Sequence, residues 1–394
     1  MSKKGDGSLT WLRDRNRQRV MEVLRIQGRT SQADIARATG LSRTTIHTLI
    51  GELKEAGVVI EVDGKRVEAG GGRPAAQLVL QNTSRAVLGI DFGHSHVQVA
   101  VADLAHNVLA ERHRALDVNH RAKEALDSSA EMAAEVLSEA GIDRSRVVGA
   151  GIGIPGPVDR ERGTAGSSTI LPSWVGLRIA DAMHARLGLP VDIENDANMG
   201  ALAEQTWGAG RDCANFAYIK AATGIGAGLV IDGELLHGAT GTAGEIGHTT
   251  LDETGALCYC GNRGCLETVA SGPAIIRLVS DGNGEATTLA DVIARAAAGD
   301  VRCRRAISDA GREIGVAVAG LCNLINPERV IIGGVLSRAG GTLLQPLRES
   351  IRRHAVQAAA ERVEVRQASF VERAELLGAL ALALRGARAA EALS

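Results

Sequence analysis

Residues 86–103 read Ala-Val-Leu-Gly-Ile-Asp-Phe-Gly-His-Ser-His-Val-Gln-Val-Ala-Val-Ala-Asp, and their pattern decides the fold of most of the chain. Two apolar segments, 86–91 and 97–103, flank a polar turn that contains a glycine. This pattern predicts two strands that pair as a hairpin. A dinucleotide-binding unit would place a helix directly after the glycine turn, and the pattern shows none there.

A similar unit recurs in the second half of the chain. Residues 216–220 predict a strand, 221–226 a turn and 227–231 the next strand. Duplicated hairpins with polar, glycine-containing turns resemble the two phosphate loops of the actin-like sugar-kinase (ribonuclease H-like) fold. The resemblance implies an α/β body of two lobes, and the cleft between such lobes is a natural site for a small molecule. Helical stretches follow the hairpins at 120–140, 178–187, 287–299 and 303–325.

The first 80 residues have a different pattern, that of short amphipathic helices. Apolar side chains recur at helical spacing in 11–27, 32–39 and 43–55. The last two segments are joined by a tight turn with a glycine, and the third opens with Ser-Arg-Thr-Thr, which is typical of a helix-turn-helix. Residues 58–62 and 77–80 then predict the two strands of a wing.

The exposed face of the third helix suits the major groove of DNA. Arginine reads guanine with two hydrogen bonds, and short hydroxyl side chains reach base edges. In the wing, a run of glycines presents Arg73 beside the stiff Pro74, which suits a minor groove. We predict DNA binding through Arg43, Thr44, Thr45, His47 and Arg73. The alternative interpretation is a plain three-helix bundle with a solvated polar face.

The net charge of −2 conceals an asymmetry between the two parts of the chain. Residues 1–80 hold 14 basic and 9 acidic side chains, whereas the remainder holds 30 and 37. The basic head suits DNA phosphates. With 3 Trp, 2 Tyr and 3 Phe, a protein that binds single strands by base stacking is disfavoured. The 48 glycines predict many turns with positive φ.

Targeting signals are missing from the sequence pattern. No apolar run reaches the ~18–20 residues that span a bilayer. The polar first ten residues lack the apolar segment of a secretory signal. These observations predict a cytoplasmic protein with no membrane partner.

Three of the 6 cysteines cluster near one histidine. Cys258, Cys260 and Cys265 follow His248, and three thiolates with one imidazole complete a tetrahedral zinc shell that has no open position. We therefore predict one structural Zn²⁺ per chain. Reduced cysteines or a disulfide are the alternative, although cysteines two residues apart are poorly placed to bridge each other.

Five motifs of the body together resemble the ROK family, which contains repressors, open reading frames of unknown role and kinases. They span about residues 86–338 of the chain, and the added head is similar to the regulator branch with its glucose, N-acetylglucosamine and xylose repressors. The motifs are Gly151-Ile-Gly-Ile-Pro-Gly-Pro-Val-Asp159, Glu194-Asn-Asp-Ala-Asn198, Ala243-Gly-Glu-Ile-Gly-His248, Cys258-Tyr-Cys-Gly-Asn-Arg-Gly-Cys-Leu-Glu267 and Asn326-Pro-Glu-Arg-Val-Ile-Ile-Gly-Gly334.

The resemblance implies which residues hold a sugar. His248 would bind zinc through one ring nitrogen and a sugar hydroxyl through the other. Read without the family, residues 194–196 favour a polar strand end or a helix cap, and the surrounding motifs reverse this interpretation. Residues 171–174 lack the Asn that many members carry before Pro-Gly-Trp, which leaves the identity of the sugar open. The implied sugar ligands are Asn195, Asp196, Glu245, His248 and Glu267.

The sequence of the first glycine turn distinguishes a kinase from a sensor. In ROK kinases, the aspartate matching Asp196 would be the general base, and the first phosphate loop reads Asp-x-Gly-Gly-Thr-Lys. Here that loop, 91–96, lacks the second glycine and the lysine. His94 would obstruct a phosphate, and a positive φ there would add about 1–2 kcal/mol of strain. We therefore predict an inactive kinase body with no catalytic residue.

These inferences combine into one predicted function. The chain is expected to be a sugar-responsive transcriptional regulator, a repressor, with a winged helix-turn-helix head at 1–82. The body comprises a first lobe at 83–197, completed by a C-terminal helix at 376–394, and a second lobe with zinc at 198–375. Two alternatives stay open: an active ROK sugar kinase with a DNA-binding head, or a scaffold that binds a sugar-transport component.

The predicted partners are operator double-stranded DNA and a sugar or sugar-phosphate effector. A homodimer or tetramer would present two heads to a palindromic operator. Closure of the two lobes around the sugar would change the spacing of the heads.

Overall fold

The structure, a computed structural model, describes residues 13–392 apart from positions 14, 15, 18, 22, 25, 26, 56, 57, 160 and 161 and segments 63–76, 81–84, 166–169 and 281–287. In this part of the chain, no helix is both long and apolar enough to cross a membrane.

The head is a helix-turn-helix with a two-stranded wing. Helical positions between 13 and 27 are followed by α1 (Gln32–Thr39) and α2 (Arg43–Glu55), and β1 (Val59–Val62) pairs antiparallel with β2 (Gln77–Leu80). The hydroxyl of Ser31 caps α1 and Gly40 ends it at φ 70°, which gives the tight turn between the two helices. The apolar face of α2 is buried in the core of the head, so the predicted winged helix-turn-helix is confirmed. These buried side chains are Ile46, Leu49, Ile50 and Leu53.

The body contains two five-stranded sheets, each built from a continuous half of the chain. The first half consists of β3 (Ala86–Phe92), β4 (His96–Asp103), β5 (Val108–Ala115), α3 (Ala122–Ala140), β6 (Val147–Ile154), β7 (Val158–Asp159), β8 (Thr164–Ala165), α4 (Ile179–Leu187), β9 (Val191–Asn195) and α5 (Asp196–Trp207). Its sheet has the strand order β5-β4-β3-β6-β9, and β7 pairs separately with β8.

The second half repeats this plan. It consists of β10 (Phe216–Ala221), β11 (Ile225–Ile231), β12 (Glu234–Leu235), α6 (Leu266–Ala270), α7 (Gly272–Val279), α8 (Leu289–Ala297), α9 (Val301–Ile325), β13 (Arg329–Gly333), α10 (Gly341–His354), α11 (Gln357–Arg362), β14 (Glu364–Gln367) and α12 (Ala374–Ala392). Its sheet has the order β12-β11-β10-β13-β14. In both sheets an antiparallel meander of three strands is followed by two parallel strands, which confirms the duplicated hairpins.

The register of the two sheets makes Asp91 and Lys220 equivalent positions. Asp91 on β3 lies opposite Gly153 on the parallel strand β6. Lys220 on β10 lies opposite Gly333 on the parallel strand β13. Each residue is at the carboxyl end of the first strand of its hairpin, next to the glycine turn. The pseudo-symmetry of the fold therefore places an acidic residue, Asp91, and a basic residue, Lys220, at equivalent positions.

Helices α5 and α12 exchange places between the halves. Each follows the last strand of its own half, but α5 packs on β10 and β11, whereas α12 packs on β3 and β6, and the two helices contact each other. The C-terminal helix thus lies against the first sheet, and the domain boundaries at 82 and 197 stay a prediction.

Glycines allow these helices to approach very closely. A Cβ at Gly151 would lie 2.1 Å from the carbonyl oxygen of Ala379, and one at Gly378 would lie 2.0 Å from that of Met199. A side chain is sterically impossible at either place without movement of backbone. The glycine content therefore serves helix packing as well as the turns to which the sequence analysis attributed it.

Candidate functional site

The predicted sugar residues begin where β9 passes into α5. Asn195 is the N-cap of α5: its Oδ1 accepts the N–H of Ala197 at 2.8 Å, and its Nδ2 donates to the carbonyl of Gly156 at 2.8 Å. The helix-cap interpretation of this residue is therefore correct. Its role as a sugar ligand stays a prediction.

Asp196, one residue further, is held by a lysine that the sequence analysis missed. Lys220 Nζ lies 2.9 Å from Asp196 Oδ2 and 2.6 Å from Glu375 Oε1. Burial opposes the charge on Lys220, but the two carboxylates hold its pKa well above the usual value. The one sequence feature that could have indicated this role is the position of Lys220, a charged residue at the end of an otherwise apolar strand.

Glu375 is at the start of α12, as Asp196 is at the start of α5. Both carboxylates are therefore in the first turn of the helix that follows the last strand of their half. Lys220 joins them across the meeting point of the two halves. Because Glu375 is far from Asp196 in sequence, no local pattern predicts this contact.

The first glycine turn is filled by an imidazole. His96 Nε2 lies 3.1 Å from Asp91 Oδ2, and its ring stacks on His113 with centroids 5.3 Å apart. A Cβ at Gly93 would lie 2.2 Å from the His96 ring, so this ring covers the backbone of the turn. The hydrogen bond with Asp91 raises the pKa of His96.

The expected strain at His94 is wrong. Among the non-glycine residues that the structure describes, positive φ occurs at His106, Asp232 and Asn326, not at His94. His94 instead has a half-buried ring whose Nδ1 lies 3.0 Å from Asn119 Oδ1. The turn has adapted its backbone to the histidine, so its side chains, rather than strain, distinguish it from a phosphate loop.

The remaining predicted ligands meet around His248. Its Nε2 lies 3.1 Å from the Tyr259 hydroxyl and 3.7 Å from Glu245 Oε2. Glu267 Oε2 accepts the backbone N–H of Ile225 at 2.9 Å, which ties α6 to the second glycine turn. Tyr259 was not predicted, although it lies between two of the cluster cysteines in sequence.

Glu245 is in an acidic environment. Burial, together with the nearby charges of Asp196 and Glu267, raises the pKa of Glu245 to about 7. Both of these neighbours are predicted sugar ligands. Asp196, Glu245 and Glu267 therefore form a cluster of carboxylates that can accept hydrogen bonds from hydroxyl groups.

A second buried acid beside the cleft was also missed. Glu194 is 2% exposed and lies 2.7 Å from His237 Nε2, 2.9 Å from Asn198 Nδ2 and 2.8 Å from the backbone N–H of Asn195. Burial opposes its ionisation, but these hydrogen bonds hold the pKa of Glu194 below the usual value. Glu194 thus fixes the end of β9 from which the predicted ligands project.

The four predicted metal ligands form one cluster. One ligand atom from each lies within 4.8 Å of the others, with 3.6 Å between Cys258 Sγ and His248 Nδ1 and 3.7 Å between Cys260 Sγ and Cys265 Sγ. Tetrahedral bonds of about 2.3 Å separate ligand atoms by about 3.8 Å. The cluster therefore fits a tetrahedral metal ion, and it leaves His248 Nε2 facing the acidic residues. Its members are His248, Cys258, Cys260 and Cys265.

The helix predicted to read DNA presents its polar face to solvent. Arg43, Thr44 and His47 are exposed. Thr45 is half-buried, and Ser42 accepts its backbone N–H at 3.1 Å, so this residue also helps to start α2. Arg73 lies outside the described residues, and its predicted minor-groove contact stays a prediction.

Comparison with known proteins identifies both parts of the chain. A model described as "ROK family" matches residues 87–386, and one described as "Winged helix-turn-helix DNA-binding" matches residues 13–60. A curated xylose repressor from Caldicellulosiruptor bescii is 30% identical over 391 residues, which cover 96% of this chain and 97% of the repressor.

Solved structures give the same division. A ROK family transcriptional regulator described as a homolog of the Escherichia coli MLC protein has a TM-score of 0.74 and 29% identity, covering 96% of this chain and 97% of its own. A ROK family glucokinase from Streptomyces griseus, in complex with glucose and AMPPNP, has a TM-score of 0.68 and 30% identity. The kinase chain is covered completely, but it covers 76% of this chain. The similarity to regulators thus includes the head, whereas that to kinases is limited to the body.

Proposed function

The chain belongs to the ROK family, and from this membership we propose that it is a sugar-responsive transcriptional repressor whose kinase-like body has lost phosphotransfer. The observation that supports this proposal most strongly is that the similarity to a xylose repressor extends over the head as well as the body. The head binds operator DNA, and the body binds the sugar that controls it. Because DNA is its target, the protein acts in the cytoplasm.

The ion pair at Asp196 argues against catalysis. A general base needs a carboxylate oxygen that can take the proton of the attacking hydroxyl. Lys220 holds Oδ2 of Asp196 at 2.9 Å and ties it to Glu375. In addition, the His96 ring covers the first glycine turn, where a phosphate would approach the backbone. Asp196 therefore serves as a fixed hydrogen-bond acceptor for a sugar.

The sugar is held by the cluster of acids and by Nε2 of His248, which lies 3.1 Å from the Tyr259 hydroxyl. In this proposal, Asp196, Glu245 and Glu267 accept hydroxyl protons, and Asn195 fixes the start of α5. The bound ion is zinc, because three thiolates and one imidazole suit that metal, and its shell is closed and structural. Zinc would orient the His248 ring so that Nε2 faces the sugar. In metal-bound histidines generally, the ring nitrogen that does not bind the metal makes a hydrogen bond, which helps to fix the ring.

The cleft is connected to the head by a short path of contacts. Helix α5 carries Asp196 at its first residue and Trp207 at its last, about 16.5 Å away along the helix axis. Trp207 meets His106 edge-to-face with ring centroids 5.5 Å apart. His106 is in the turn between β4 and β5, next to Ala105, which is buried in the core of the head. A shift of α5 on sugar binding therefore reaches the head directly.

Two heads are needed for a palindromic operator, so we propose a homodimer or a pair of dimers. Closure of the lobes moves α5, the turn at His106 and the head together. The bound sugar thereby changes the separation of the two heads and lowers the affinity for the operator.

The proposal is tested by assaying both activities on the zinc-loaded full-length protein. We expect no sustained ADP release with ATP and a panel of sugars, and we expect selection from random duplexes to enrich a palindrome. Arg43→Ala should weaken binding to that duplex by about 5–150-fold, since one arginine–guanine pair contributes about 1–3 kcal/mol. Sugar-dependent ADP release that Asp196→Asn abolishes would instead establish a kinase.

A further inference from the structure

The predicted sugar site contains more acid than its basic groups can balance. Five carboxylates lie near one another there, and in the described part of the chain the basic side chains within 4.0 Å of them are Lys220, His96 and, at 3.7 Å from Glu245, His248. Glu267 instead accepts a backbone N–H. The five are Asp91, Asp196, Glu245, Glu267 and Glu375.

The one ammonium group in this set is already fully engaged. Lys220 Nζ contacts two carboxylates at 2.9 and 2.6 Å, and the side chains of this trio are only 14–19% exposed. If Lys220 turned towards a ligand, it would leave two mostly buried carboxylates without a counter-ion, which is strongly unfavourable. Lys220 is therefore not available to an incoming anion.

The metal cluster cannot supply the missing positive charge. A divalent ion bound by three thiolates and a neutral imidazole has a net charge of −1. His96 is hydrogen-bonded to Asp91, and His248 Nε2 is hydrogen-bonded to the Tyr259 hydroxyl beside Glu245, so both rings already have partners. An anionic group in this part of the cleft would face like charges at short range, which discriminates against it.

We propose that the cleft selects an uncharged sugar and rejects sugars that carry a phosphate or a carboxylate, with the Lys220 cluster as the specificity determinant. This inference rests on the proposed sugar-responsive function and narrows its effector from a sugar or sugar phosphate to the free sugar. Asp196 and Glu375 keep Lys220 occupied, while Asp91 adds negative charge beside Glu375.

The test compares matched ligands on the zinc-loaded full-length protein by calorimetry. The probes are D-glucose, D-galactose and N-acetyl-D-glucosamine with their 6-phosphates, D-xylose, and D-glucuronate. We expect binding to be confined to uncharged sugars, with each 6-phosphate at least 10-fold weaker than its parent. A 6-phosphate or glucuronate that binds as tightly as the parent sugar, or more tightly, would overturn the proposal.

A variant identifies the cause of the discrimination. Glu375→Gln keeps the size of the side chain and can still accept from Lys220, but it removes one negative charge. The ratio between a parent sugar and its phosphate should shrink at least threefold. Glu372→Gln, at an exposed ion pair with Arg338, is the matched control and should leave the ratio unchanged. An unchanged ratio in folded Glu375→Gln would contradict the proposal, and Asp91→Asn repeats the test if that variant does not fold.

Inorganic phosphate separates this inference from the proposed function. The wild-type protein should show no rise in melting temperature with phosphate. A rise that Lys220→Met removes would place an anion at Lys220 and overturn the charge argument, whatever the sugars do. If no sugar binds and phosphate also has no effect, the sugar-responsive function is contradicted, while the exclusion of anions stands.

Discussion

At the scale of single residues, Lys220 explains most about what this body does. It stands where the pseudo-symmetry of the fold places the counterpart of Asp91, and it neutralises the two carboxylates that begin α5 and α12. In the proposed function, this pairing holds Asp196 as a hydrogen-bond acceptor for the sugar rather than as a general base.

Removing Lys220 should destabilise the protein strongly. Lys220→Met would leave Asp196 and Glu375 without a counter-ion in a mostly buried place, and breaking such a pair costs about 3–5 kcal/mol. The free energy of unfolding from urea titrations measures this loss. Lys54→Met, at the exposed pair with Glu61, is the control and should cost less than about 1 kcal/mol. Equal losses in the two variants would refute the structural importance of the cluster.

The sequence predicted the motif residues but not their partners. Asp196, Glu245, His248 and Glu267 stand in motifs, so they could be assigned by resemblance. Glu375 and Lys220 could not, because chain topology, not local spacing, brings α12 beside α5. The positive φ considered for His94 is absent for a related reason. The backbone conformation of a turn depends on how the turn packs, and the local sequence does not specify that packing.

At the scale of elements, pattern predicted the two hairpins, the head and several helices of the body, but it did not predict α5, α6, α7, α10 or α11. The boundaries of α1 and α2 agree with the predicted segments 32–39 and 43–55, because each has a capping residue and a glycine or polar stop. The packing of α5 and α12 was beyond prediction. Gly151 and Gly378 look like ordinary glycines in sequence, yet each admits the backbone of a crossing helix.

The segment that carries His248, Cys258, Cys260 and Cys265 is the element that the proposed zinc ion would stabilise most. Purified protein should contain about one zinc per chain, and Cys260→Ser should lower that content and the melting temperature, because metal binding contributes directly to folding. Metal analysis and thermal unfolding measure both effects. Cys213→Ser, at a buried thiol outside the cluster, should keep its zinc. Zinc-free wild-type protein with full stability would show that the cluster is not a metal site.

At the scale of the whole molecule, the path from the cleft to the head passes through His106. This residue has φ 69° and contacts Trp207 at the end of α5, while its neighbour Ala105 is part of the core of the head. His106→Gly permits the same backbone and removes only the ring. The variant should bind sugar and DNA separately, but with a reduced effect of sugar on DNA affinity.

The matched control is Asp232→Gly, which replaces another non-glycine residue of positive φ, in the exposed turn between β11 and β12. It should leave the coupling unchanged. DNA affinity measured with and without saturating sugar gives the coupling in each variant. If His106→Gly responds to sugar as the wild type does, the signal takes another route.

The central claim is that one chain links sugar binding to operator binding without catalysing phosphoryl transfer. The most direct measurement is the fluorescence anisotropy of a selected palindromic duplex, titrated with zinc-loaded full-length protein in the absence and presence of a saturating uncharged sugar. We predict that the sugar weakens DNA binding by about 5–150-fold, the usual range of allosteric coupling. Glu245→Gln should keep the affinity for DNA and lose this response. A DNA affinity that saturating sugar leaves unchanged in the wild-type protein would contradict the account.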